Sequence, residues 1–92
     1  MQRQGDLLLI PIDQLPQQAQ PVDGLVVLAG EHDHRLAEGC LCKDEAGQLF
    51  VTVERPAALV HDEHQALELP TGSYMVRRQR EYLPERPRPA FD

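Results

Sequence analysis

The chain has 92 residues, a formal net charge of −6 and only two phenylalanines and two tyrosines as aromatic residues. That length leaves room for one small domain held by a thin aliphatic core of leucine and valine, and it excludes a second domain. No window approaches the roughly 18 apolar residues of a membrane helix, and residues 1–6 lack the apolar run of a signal peptide, so a cytoplasmic protein without a membrane partner is expected.

Charge is unevenly spread. Residues 1–76 hold four basic and twelve acidic side chains, whereas residues 77–92 hold five arginines and three acids. An acidic body repels phosphate backbones, so nucleic-acid binding would rest on the arginine tail alone and is not expected.

Eight prolines and six glycines leave no window for a capped amphipathic helix, which predicts an all-β fold. Residues 6–12 form a nearly continuous apolar run and predict a buried first strand. The Gln/Pro-rich segment 14–23 reads as a connection, and residues 25–29 as a second strand ended or bulged by Gly30. A third strand over 32–37 would place His32, His34 and Leu36 on one face, and Leu36 predicts that this face points inward.

Gly39 turns the chain into Cys40-Leu41-Cys42, and residues 44–47 read as a hairpin loop leading into the alternating strand 48–54. Short strands follow at 57–61 and 67–69, with a Pro70-Thr71-Gly72 turn before a last strand from Ser73 to about Tyr82. Residues 1–82 thus read as a single β domain, a small barrel or sandwich of about seven to eight short strands. Residues 83–92, rich in Pro and Arg, read as an extended, poorly ordered tail.

The four histidines fall in two tight pairs, His32/His34 as H-x-H and His61/His64 as H-x-x-H. Imidazole is the commonest transition-metal ligand, and two such pairs brought together from different strands would supply three or four nitrogens to one divalent ion such as Zn, Mn, Fe or Ni. Glu38 and the neighbouring acids offer a further ligand or acceptors that fix the imidazole tautomer. The alternative is that GEHDH and HDEH are plain polar turns, since each is flanked by acids.

Cys40 and Cys42 would share one face of a strand. A disulfide across C-x-C is strained, and cytosolic thiols stay reduced. They serve either as small half-buried apolar residues or as soft metal ligands. Arg77, Arg78, Arg80 and Tyr82 make a charged strand end. It reads either as a docking surface for an unknown protein partner or a second copy of the chain, or as a solvated edge protected against pairing. Ser73 lacks the G-x-S-x-G setting, and no phosphate loop or dinucleotide fingerprint is present.

Two resemblances bear on these residues. His32-x-His34 followed by Glu38, with Pro70-Thr71-Gly72, resembles the two cupin motifs. That resemblance implies a metal inside a small β-barrel bound by His32, His34 and Glu38, although Met75 stands where the second motif carries histidine and Gly24 is two positions early. Across nearly the whole chain, Arg3-Gln4-Gly5-Asp6, Leu59-Val60-His61-Asp62-Glu63-His64 and residues 74–82 (YMVRRQREY) resemble a group of short uncharacterised bacterial proteins, which implies no activity. The expected role is a small non-catalytic binding or accessory protein with a histidine-lined metal site. A cupin-type metal-dependent enzyme and a metal-free interaction module using the arginine strand stand as alternatives.

Overall fold

Unbroken apolar runs separated by glycine and proline favour strands over helices, and strands are what the chain forms. The computed structural model describes residues 1–30 and 32–78. Within them lie ten strands and no helix: β1 (Gln2–Gln4), β2 (Leu7–Ile12), β3 (Gln20–Val22), β4 (Val26–Leu28), β5 (His34–Leu36), β6 (Cys40–Lys43), β7 (Leu49–Val53), β8 (Ala57–Val60), β9 (Leu67–Leu69) and β10 (Gly72–Arg78). The expected tail over 83–92 lies outside the described residues.

All pairings are antiparallel, and they build two sheets. The larger has the order β1-β2-β10-β7-β6-β3 and the smaller β4-β5-β8-β9. Among the described residues no ladder joins the two sheets, so of the barrel and the sandwich that the sequence allows, the chain forms the sandwich-like arrangement. The strand number is corrected from seven or eight to ten. Two three-residue strands, β1 and β3, arise in segments whose sequence carries no alternation, because pairing with β2 and β6 selects them.

Alternation sets what each face does. Leu7, Leu9, Leu41, Val51, Val53 and Tyr74 of the larger sheet meet Val27, Leu36, Ala57, Leu59 and Leu69 of the smaller in one buried cluster. Tyr74 is buried as well as polar, and its hydroxyl donates to Pro70 O at 2.6 Å, which satisfies the one group the core cannot. Leu8, Cys42 and Phe50, at alternate positions, are buried outside that cluster on the other side of the larger sheet. Both sides of this sheet are therefore apolar, which explains why β2 reads LLLIPI rather than alternating.

The β6–β7 hairpin forms where the sequence predicts it. The Asp44 carboxylate accepts from Ala46 N and Gln48 N, both at 2.9 Å, and its backbone bonds both Gly47 and Gln48. One side chain thus ties the loop without a tight two-residue turn.

Gly39 carries the chain from the smaller sheet to the larger. Its φ is +128°, and a Cβ there would stand 2.8 Å from Val53 Cγ1, 2.9 Å from Thr52 O and 3.0 Å from Leu36 Cδ2. Gly47, with φ +88°, has open space around it. Gly39→Ala should therefore cost about 3 kcal/mol of unfolding free energy and Gly47→Ala about 1. Urea titration of the two variants should show Gly39→Ala to be clearly the less stable; equal losses would mean that backbone conformation alone matters at this crossover.

Candidate functional site

Three short connections converge at one end of the sandwich. The β1–β2 turn carries Asp6, the β4–β5 connection carries His32, and the β8–β9 connection carries His61, Asp62, Glu63 and His64, while β5 itself begins with His34. Alternation brings His34 inward together with Leu36, as the sequence predicts: the two are 3% and 0% exposed. His32 lies before β5 rather than on it, so it does not share that strand face.

The ring centroids of His34 and His61 are 4.3 Å apart, those of His61 and His64 4.5 Å, those of His32 and His61 5.9 Å and those of His34 and His64 6.1 Å. The structure thus brings the two histidine pairs together. Asp6, His34, His61, Glu63, His64 and Arg78 line a concavity of about 200 Å³. His32 and His61 also border a second one of about 300 Å³, lined further by Asp33, Arg35 and Asp62.

Gln4 determines the chemistry of His34. Its amide nitrogen donates to Leu59 O at 2.8 Å and Gln65 O at 3.0 Å, and both of its protons are thereby used. Its oxygen, 2.9 Å from His34 Nδ1, can only accept, so His34 carries a proton on Nδ1 and donates it to Gln4. Burial pushes the His34 pKa below 6.5, and the neighbouring charge of His61 pushes the same way, against the opposing pull of Asp6. Burial thus favours the neutral ring, in which Nε2 carries the lone pair. That lone pair faces Asp6 Oδ1 at 3.5 Å.

Asp6 is ionised. Burial works to raise its pKa, but the bond from Arg78 Nε at 3.0 Å, a backbone bond and the nearby positive charge reverse the effect, and the carboxyl lies below its usual range. The other histidines are differently engaged. His61 Nδ1 accepts from Glu63 N at 3.0 Å, and His32 stands between two carboxylates, Asp62 at 3.3 Å and Glu63 at 3.2 Å. His64 lies over the β1–β2 turn, where a Cβ on Gly5 would come 2.5 Å from its Nε2. Among the described residues, no three His, Cys, Asp or Glu side chains are arranged to hold a metal ion.

Other residues singled out by the sequence go elsewhere. Glu38 does not join the histidines; it pairs with Arg55 at 3.2 Å on the β5–β6 connection. Arg78 is committed to Asp6, and Arg77 is exposed at the end of β10. Arg80 and Tyr82 lie outside the described residues. Gln4, Gly5 and Asp6 are the site residues that pattern reading misses, because a lone glutamine, glycine and aspartate carry no spacing rule. Their only signal is the Arg3-Gln4-Gly5-Asp6 string itself.

Fold and site define a small all-β protein with a histidine-lined concavity at one end of its two sheets. The chain belongs to a family described as a domain of unknown function, DUF8820, whose model matches residues 3–79. This is the group of short uncharacterised proteins that the sequence resembles, and no match to the cupins accompanies it. No curated protein and no solved structure matches the chain. Among the described residues, no helix is long and apolar enough to cross a membrane.

The lowered His34 pKa fixes a direction for pH dependence. Above about pH 6.5 the ring is neutral in both folded and unfolded chains and contributes no difference. Below it the unfolded chain takes up the proton that folded His34 resists, so stability falls with acid by at most about 1.4 kcal/mol per pH unit. Denaturant midpoints at pH 7.5, 6.0 and 5.0 should decline, and His34→Gln, which can donate to Gln4 but does not titrate, should flatten that decline. An unchanged slope in the variant would assign the acid sensitivity to other groups.

Proposed function

We propose that this protein is a small, non-catalytic binding protein, cytoplasmic, whose histidine-lined concavity takes one divalent transition-metal ion. The observation that carries this reading is the pairing of His34 Nε2 with Asp6 Oδ1. A bare lone pair and a carboxylate oxygen 3.5 Å apart, with no proton between them, repel each other unless a cation lies there. Two ligands about 2.0 to 2.2 Å from one tetrahedral ion stand roughly 3.3 to 3.5 Å apart, so the two atoms are at the separation that sharing an ion requires.

The ring spacings support the same reading. Imidazoles bound to one tetrahedral ion have centroids roughly 5.2 Å apart, and the His34–His61, His61–His64 and His34–His64 separations of 4.3, 4.5 and 6.1 Å lie within about 1 Å of that spacing. His61 would have to give up its bond from Glu63 N, so binding rearranges the β8–β9 connection while His34 stays in place. Imidazole and carboxylate donors together suit Zn, Mn, Fe or Ni rather than calcium. The Gln4 amide fixes the donor atom by holding the proton on the opposite side of the ring.

Titration of metal-free protein with Zn²⁺, followed by calorimetry and native mass spectrometry, should show one bound ion. His34→Gln and the exposed-loop variant His64→Ala should each weaken binding at least tenfold, and Asp6→Asn should weaken it while leaving the circular dichroism spectrum unchanged. Retention of a stoichiometric ion by both His34→Gln and His64→Ala would overturn the assignment.

A further inference from the structure

The second pair of metal-ligating side chains lies away from the histidines. Cys40 and Cys42 are free thiols on β6, and because Leu41 between them enters the sandwich core, both point to the opposite side of the larger sheet. Strand pairing fixes them there: Cys40 lies opposite Thr52, and Cys42 lies between Phe50 and Pro21. Their sulfurs are 3.9 Å apart. Cys42 is buried, while Cys40 is half-buried and opens on a concavity of about 250 Å³ shared with Glu38, Thr52, Glu54 and Arg55.

Two thiolates at about 2.3 Å from one metal ion stand roughly 3.8 Å apart at a tetrahedral angle and roughly 4.6 Å apart in a linear arrangement. The observed separation of 3.9 Å lies near the tetrahedral end of that span, and a change of side-chain torsion at the half-buried Cys40 opens it toward the linear end with the strand in place. Which ion fits follows from the number of donors. No third His, Cys, Asp or Glu completes a ligand set with the two sulfurs among the described residues, and the nearby Glu38 is paired with Arg55. Zinc in a closed protein site takes four ligands, whereas a soft monovalent d¹⁰ ion is content with two sulfurs.

We propose that Cys40 and Cys42 form a two-sulfur site for a soft monovalent ion of the Cu(I) class, independent of the histidine concavity. Binding breaks two S–H bonds, forms two S–Cu bonds and releases two protons to solvent, with no electron transferred.

The test is an anaerobic titration of the full chain with Cu(I) in the presence of a non-thiol reductant and a competing chromophoric Cu(I) chelator, with both thiols first shown free by mass. The wild-type chain and a His61→Ala/His64→Ala variant should each withdraw one equivalent of copper, with thiolate-to-copper absorption in the ultraviolet. Cys40→Ser and Cys42→Ser should each weaken retention at least tenfold. Serine keeps the size of the side chain, and circular dichroism should verify that both variants fold. Failure of the wild-type chain to withdraw copper, retention by both serine variants, or loss of copper in the histidine variant would overturn the proposal.

Discussion

One buried amide connects the two sheets to the site. Apart from the Tyr74 hydroxyl, Gln4 and His34 are the buried polar side chains among the described residues, and they are bonded to each other. Gln4 belongs to β1 of the larger sheet, and its three bonds reach β5, β8 and the β8–β9 connection. An unsatisfied amide in that position would cost about 1 to 3 kcal/mol for each group left unpaired, so the arrangement is stable only when all three bonds form together. The requirement fixes how the edge of the larger sheet meets the smaller one, and the same bonds choose the tautomer of His34.

Electrostatics then follow from packing. Burial favours the neutral form of His34, and a neutral ring with its proton on Nδ1 turns a lone pair toward Asp6. Asp6 stays ionised because Arg78, at the far end of β10, bonds its other oxygen. β10 and β2 lie side by side with Arg78 opposite Leu7, so the register of the central ladder decides whether that guanidinium reaches the β1–β2 turn. A shift of one residue would send Arg78 to the other side of the sheet and leave a carboxylate beside a bare imidazole nitrogen.

These relations explain what the sequence reveals and what it conceals. The all-β class, the β6–β7 hairpin and the inward direction of His34 with Leu36 are local, and each follows from alternation or turn chemistry within a few residues. The choice of sandwich over barrel, and the strands β1 and β3, depend on pairings between distant segments that no periodicity in either partner announces. Proximity in sequence also misleads at Glu38: it lies four residues after His34, but the crossover at Gly39 carries it toward Arg55 and away from the imidazoles. Gln4 lies thirty positions from His34 and has no metal-ligand chemistry, so only the folded chain reveals that it governs the ring.

The four histidines differ in how firmly the fold holds them, and that difference bears on how an ion would bind. His34 is set by a strand and a buried hydrogen bond, so its donor atom is already placed. His61 and His64 belong to a connection between strands, and the lone pair of His61 is occupied by the backbone. A ligand set that is half fixed and half held by competing local bonds loses affinity to the cost of reordering the second half. On the proposed function, such a site would bind less tightly than a closed structural one and would respond to whatever stabilises the β8–β9 connection. His32, placed between Asp62 and Glu63, is the residue positioned to do this: it ties that connection to the β4–β5 connection through two carboxylates rather than by ligation. Of the H-x-H pair, then, one histidine would offer the proposed ion a donor atom, while the other braces the segment that binding would rearrange.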